Sequence, residues 1–212
     1  MRRAREMLRR YREPIIGLTI AGAAAPIAKP TRAAAEVPPG RAEREARAAA
    51  AARPGDIEEA VSQEWARSEA EQVREDTIEG ARIRYGISRD LAEDIYDAAV
   101  RNDIDPDVAF GLVNTESTFD PRAVSHVGAR GLTQVMPRTA RWLRPGTTAE
   151  DLFDRALNLD LGFRYLRSLI DKYDGNVRLA LLAYNRGPGT VDRILARGGD
   201  PDNGYADRVL SG

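Results

Sequence analysis

Apolar residues change their spacing along this chain. From Ile87 onward they recur at the three- and four-residue intervals of helices that bury one face. Leu91, Ile95 and Ala99 follow Ser88, whose hydroxyl is suited to cap a helix start. Asp105-Pro106 predicts a second helix start, with an acceptor at the cap and proline in the first turn. Leu159, Phe163, Leu166, Ile170 and Tyr173 mark another helix, and Gly162 on the same face permits close approach. Val177 to Tyr184 is apolar nearly all round, which predicts a helix at the centre of the fold. Gly175, Gly187-Pro188-Gly189 and Gly198-Gly199 keep these helices short. No run alternates in the manner of a strand, and no repeat is present. The predicted class is all-α, over residues 87–212.

The residues before Ile87 read differently. Residues 56–84 favour helix, but Ile57, Val61 and Trp65 give only a thin apolar stripe among acidic side chains. They form an acidic helical arm that either packs on the following domain or a protein partner, or stands solvated. Residues 29–55 are Ala, Arg, Glu and Pro with almost no large apolar side chains, the composition of a disordered linker. Residues 1–13 hold six Arg and two Glu, and an apolar stretch from Ile15 to Ala28 follows. That stretch is short of the roughly 20 residues a spanning helix needs. Residues 1–28 therefore read as a secretory signal peptide or short hydrophobic anchor offering membrane association, or else as an uncleaved tail.

Composition narrows the chemistry. The 212 residues carry 32 basic and 33 acidic side chains, a net charge of −1, so no global field attracts nucleic acid. Cysteine is absent, which excludes disulfides, thiolate metal sites and thiol nucleophiles. His126 is the one histidine, expected in a surface loop; no multi-histidine metal site can be assembled, and no cofactor is implied.

One carboxylate stands out. On a helical wheel from Pro106, residues Val108, Ala109, Leu112 and Val113 form an apolar face, and Glu116 falls near its middle. Desolvation and the helix C-terminus both favour its protonated form, as a general acid requires. The alternative is a helix that frays early and leaves Glu116 in solvent.

Four blocks lie along the domain: Glu116-Ser117 with the following Thr-Phe-Asp-Pro, Gly131-Leu132-Thr133-Gln134-Val135-Met136-Pro137, Ala183-Tyr184-Asn185-Arg186-Gly187, and Tyr205-Ala206-Asp207-Arg208-Val209. In this order and spacing they resemble the soluble lytic transglycosylase domain, related to goose-type lysozyme. The resemblance implies a lysozyme-like helical fold with a substrate cleft. It implies cleavage of peptidoglycan glycan strands between N-acetylmuramic acid and N-acetylglucosamine, leaving 1,6-anhydromuramyl ends. Glu116 is the position that matches the family's sole catalytic carboxylate. Ser117 would hydrogen-bond Glu116 or a sugar, or simply end the helix. By the same resemblance Gln134 and Met136 line the cleft, although Met before Pro137 is equally a core plug. Tyr184 and Asn185 would hold a sugar ring and its acetamido group beside a flexible turn, with Gly128 and Gly131 letting backbone approach the substrate. Tyr205 resembles a tyrosine whose hydroxyl lies near the acid, or is a core tyrosine.

This chain departs from the family pattern at Thr133, where methionine is usual, at Arg186 in place of a small residue, at Asn114-Thr115, and at His126. The expected setting is the periplasm or cell envelope, with a virion-associated enzyme as the alternative. A goose-type hydrolase and a non-catalytic peptidoglycan-binding component of a phage or secretion machine are the competing functions.

Overall fold

A computed structural model describes Gly40 and residues 54–212. Residues from Pro54 onward belong to one compact unit, Arg53–Gly212. The expected signal-like segment at 1–28, and the linker at 29–55 apart from Gly40 and the start of the first helix, lie outside the described residues.

This unit is built from helices: α1 (Pro54–Tyr85), α2 (Arg89–Arg101), α3 (Pro106–Ser117), α4 (Pro137–Leu143), a 3-10 turn (Asp151–Phe153), α5 (Arg155–Lys172), α6 (Val177–Arg186), α7 (Pro188–Leu195) and α8 (Tyr205–Leu210). Among the described residues, extended pairing is limited to isolated bridges of Arg130 with Val124 and with Val135. The all-α class read from the periodicity is the class that forms.

The helix starts obey their local chemistry. Ser88 Oγ accepts from the Leu91 amide at 3.3 Å, and Asp105 Oδ1 accepts from the Asp107 amide at 2.8 Å. Each satisfies a donor that the first turn cannot use internally. Asp154 does the same for α5, accepting from the Leu157 amide at 2.8 Å.

The main core gathers Ile95, Phe110, Leu112, Phe163, Leu166, Leu181 and Val209. A smaller one holds Val135, Ala140, Leu152 and Leu161 beneath α4. Burying each of these large side chains contributes about 1.5–3 kcal/mol. Helix α3 is enclosed on more sides than the wheel suggested, since Phe110 and Gly111 are buried together with Ala109, Leu112 and Val113. A Cβ on Gly111 would lie 1.9 Å from the Val209 carbonyl oxygen, so glycine is what lets α8 rest against α3. Helix α6, expected to be central, keeps one wet edge. Its Arg178 is exposed and pairs with Asp207 at 2.7 Å and Asp202 at 3.5 Å.

Helix α1 docks by its C-terminal third. Ile78 and Ala81 are buried, and Tyr85 packs on the core. Arg74 reaches Asp97 at 3.1 Å, and Arg89 of α2 reaches back to Glu75 at 2.6 Å. Val61 and Trp65 of the thin apolar stripe take no part in this contact and are 49% and 58% exposed. At 100° per residue, Trp65 points to nearly the opposite side of the helix from Ile78 and Ala81.

Candidate active site

Glu116 is the penultimate residue of α3, and its helix does not fray before it. The chain turns immediately afterwards, at Thr118 and Phe119, both in the left-handed region with φ 51° and 64°. Phe119 is buried against the Tyr85 ring at 5.0 Å, which anchors that turn. The carboxyl group accepts a hydrogen bond from the Tyr205 hydroxyl through Oε1. Burial raises the Glu116 pKa above the ordinary 4.5, and the Tyr205 hydroxyl opposes part of that rise by favouring the carboxylate. Burial also pushes the Tyr205 hydroxyl upward, followed by the nearness of Glu116, so it remains a donor. Tyr205 is 2% exposed, which makes it both a core tyrosine and the partner of the acid.

Tyr184, at the end of α6, is the third member. Burial raises its hydroxyl, and the Glu116 charge adds to the effect. The hydroxyl is committed to protein: it donates to the Thr133 carbonyl at 2.7 Å, while the ring stacks at a tilt on Tyr165, 5.3 Å away. Gln134 follows Thr133 with φ 48°, and its Nε2 donates to the Ala123 and Gly131 carbonyls at 3.1 and 3.0 Å. Asn185 is exposed and accepts from Asn203 Nδ2 at 3.0 Å; Asn203 Oδ1 in turn accepts from the Tyr205 amide at 3.1 Å. Glu116, Tyr205, Tyr184, Asn185 and the Gln134 loop are thereby linked through hydrogen bonds and mutual electrostatics.

The remaining candidates stand apart. Ser117 Oγ donates to the Val113 carbonyl at 3.1 Å, one turn back in its own helix. Thr118, not Ser117, is the cap residue of α3. Met136 is 38% exposed at the start of α4, which removes the core-plug alternative. Gly131 does not face a substrate through open space: a Cβ there would lie 2.3 Å from Asn158 Nδ2. Arg186 is half-buried, and its Nη1 donates to the Pro201 carbonyl at 2.8 Å. Asn158, Tyr165 and Asn203 escaped the sequence reading. Asn158 left one signal, an amide directly preceding the apolar series that starts at Leu159. Among the described residues no group of three His, Cys, Asp or Glu side chains is placed to hold a metal.

A family model, the transglycosylase SLT domain, matches residues 93–204, which is more than half of the chain. The chain belongs to the SLT domain family. The matched SLT segment contains Glu116, Gln134, Tyr184 and Asn185, and Tyr205 falls one residue beyond it.

Relatives of this SLT domain include the membrane-bound lytic murein transglycosylase C of Histophilus somni, 40% identical over 112 residues, covering 46% of this chain and 31% of that protein. The protein of the same name from Mannheimia succiniciproducens is 37% identical over 128 residues, covering 54% and 35%. The transglycosylase of Enterobacteria phage PRD1 is 43% identical over 95 residues, covering 45% and 34%. The chain spans about a third of the length of these relatives. Two solved structures are similar at 28% identity. An inactive mutant of lytic transglycosylase Slt from Pseudomonas aeruginosa has a TM-score of 0.46, covering 56% of this chain and 20% of that one. The 70 kDa soluble lytic transglycosylase of Escherichia coli has a TM-score of 0.48, covering 54% and 22%.

Proposed function

We propose that this protein is a peptidoglycan lytic transglycosylase with Glu116 as its single acid and base. The observation that carries the reading is a half-buried carboxylic acid, raised by desolvation and held by Tyr205, in a domain of the SLT family. Protonated Glu116 gives its proton to the glycosidic oxygen between N-acetylmuramic acid and N-acetylglucosamine as the bond breaks. The muramyl acetamido oxygen supports the positive charge that develops at the anomeric carbon. The Glu116 carboxylate then takes the proton of the 6-hydroxyl, whose oxygen closes on the anomeric carbon and leaves a 1,6-anhydro end. Proton and electron pairs balance without water, and Glu116 ends the cycle protonated. The substrate's own acetamido group does the work of the second carboxylate that most glycosidases use.

We assign sugar contact to Gln134, Tyr184 and Asn185, and by resemblance to Met136 and Ser117, which lie outside that hydrogen-bonded group. Of these, Tyr184 contributes its ring, because its hydroxyl is engaged with Thr133. The names of the relatives support an envelope setting, and the phage relative supports the virion-associated alternative. Within the envelope we place the enzyme in the periplasm, reached through residues 1–28. The exposed half of α1 is the part open to a protein partner. No helix among the described residues is long and apolar enough to cross a membrane.

Mass spectrometry of fragments released from purified sacculi tests the proposal. Anhydromuropeptides are the expected product, and Glu116→Gln lowers their release by roughly a thousandfold, within the range for removal of a general acid. Reducing muramyl ends would replace the lyase with a hydrolase. Binding to sacculi without soluble products would make the protein a binding component.

A further inference from the structure

Asn158 is 1% exposed in the first half of α5, and the chemistry above makes no use of it. Every hydrogen-bonding position of its amide is engaged. Oδ1 accepts from the Thr133 amide at 2.9 Å and from Thr133 Oγ1 at 2.7 Å, while Nδ2 donates to the Arg130 and Leu152 carbonyls at 2.8 and 2.9 Å. Three of these four bonds end on residues 130–133, immediately before Gln134.

Thr133 is pinned from the other side as well, by the Tyr184 hydroxyl on its carbonyl. Its side chain fills the space where Gly162 has no Cβ, with Oγ1 2.2 Å from where that atom would stand. Thr133 is thus fixed through its amide, its hydroxyl, its carbonyl and its methyl face. The next residue, Gln134, sits in the left-handed region that a branched or long side chain does not choose unaided. Such a conformation persists only where the surroundings over-determine it.

We propose that Asn158 and Thr133 form a positioning pin: the buried amide–hydroxyl pair holds residues 130–134 in register with Tyr184, and so sets Gln134 and the Tyr184 ring relative to Glu116. The proposal rests on the lytic transglycosylase reading for its catalytic consequence, but the mechanical part stands on the hydrogen bonds alone. An aspartate cannot replace Asn158, because it would offer oxygen to two carbonyls that now receive N–H groups. The threonine hydroxyl is the more selective handle. Valine keeps the branched shape packed on Gly162 and removes the one hydroxyl proton shared between Asn158 Oδ1 and, at 3.1 Å, the Asn158 carbonyl.

The test compares Thr133→Val and Thr133→Ser in the full chain. Hydrogen exchange of the amides of residues 131–135 and kcat/KM for anhydromuropeptide release are measured well below the melting temperature. Thr133→Val is expected to speed exchange in this loop about tenfold and to lower kcat/KM about tenfold, the size of one buried hydrogen bond. The amides of α3 and α6 keep their wild-type protection, and Thr133→Ser restores both readouts to within about twofold. A valine variant with wild-type loop exchange and wild-type kcat/KM would overturn the pin. Faster exchange spread evenly over the domain would overturn it too, because that marks a general loss of stability. If the wild-type protein releases no anhydro product, the lyase reading fails, while the exchange pattern still decides the pin.

Discussion

The Glu116–Tyr205 pair spans 89 positions in the chain and joins the end of α3 to the start of α8. Half of it was readable beforehand: the helical wheel put Glu116 on the buried face, because a period of 3.6 residues is a property of the backbone. The other half was not, since no local pattern says which hydroxyl will meet an acid that distant. Tyr205 was named from resemblance alone, and in the structure both of its alternatives hold together: it is a core tyrosine and the partner of the acid. The same holds for Ser117, which lies beside Glu116 in sequence but turns back to the Val113 carbonyl. The Tyr205 hydroxyl favours the carboxylate, so its removal raises the Glu116 pKa further. Tyr205→Phe is therefore expected to shift the alkaline limb of the pH–rate profile upward and to lower turnover by roughly tenfold, through loss of a hydrogen bond to a charged group. A limb that moves downward would contradict this account.

At the level of elements, the spacing in helix α1 left packing and solvation both open. Its thin N-terminal stripe stays exposed at Val61 and Trp65, and the helix is held by Ile78, Ala81 and the Arg74–Asp97 and Glu75–Arg89 pairs. The exposed pairs are screened by solvent, so the apolar contact dominates. Ile78→Ala is expected to cost about 2–4 kcal/mol in urea denaturation, whereas Trp65→Ala stays within about 0.5 kcal/mol. Equal effects would mean that the free half of α1 also packs. Helix starts were far more legible than contacts. Ser88 and Asp105 satisfy amides three and two residues away, a purely local requirement.

Across the whole molecule, ionisation sets opposite trends for two kinds of carboxyl group. The carboxylates of Glu75, Glu79, Asp192 and Asp207 are held below their ordinary values, chiefly by Arg89, Arg82, Lys172 and Arg178 respectively. Their contribution is present above the unfolded values and is lost as pH falls through the folded ones. Glu116 runs the other way. Its folded pKa lies above 4.5, so its contribution is complete below that value and is lost as pH rises through the folded pKa. Glu116→Gln is accordingly expected to match the wild type in melting temperature at acid pH and to exceed it increasingly toward neutrality. A constant offset at all pH values would show that the acid is not desolvated.

The amino-acid order was enough for the all-α class, the helix starts, the buried face that carries Glu116 and the exclusion of thiol and multi-histidine chemistry. Each of these depends on residue type or on spacing within one or two turns. The Tyr205 donor, the docking face of α1, the commitment of Tyr184 to Thr133 and the four-way engagement of Asn158 emerge when distant helices pack. Steric fit between side chains far apart in sequence selects those partners, and no local period encodes that fit.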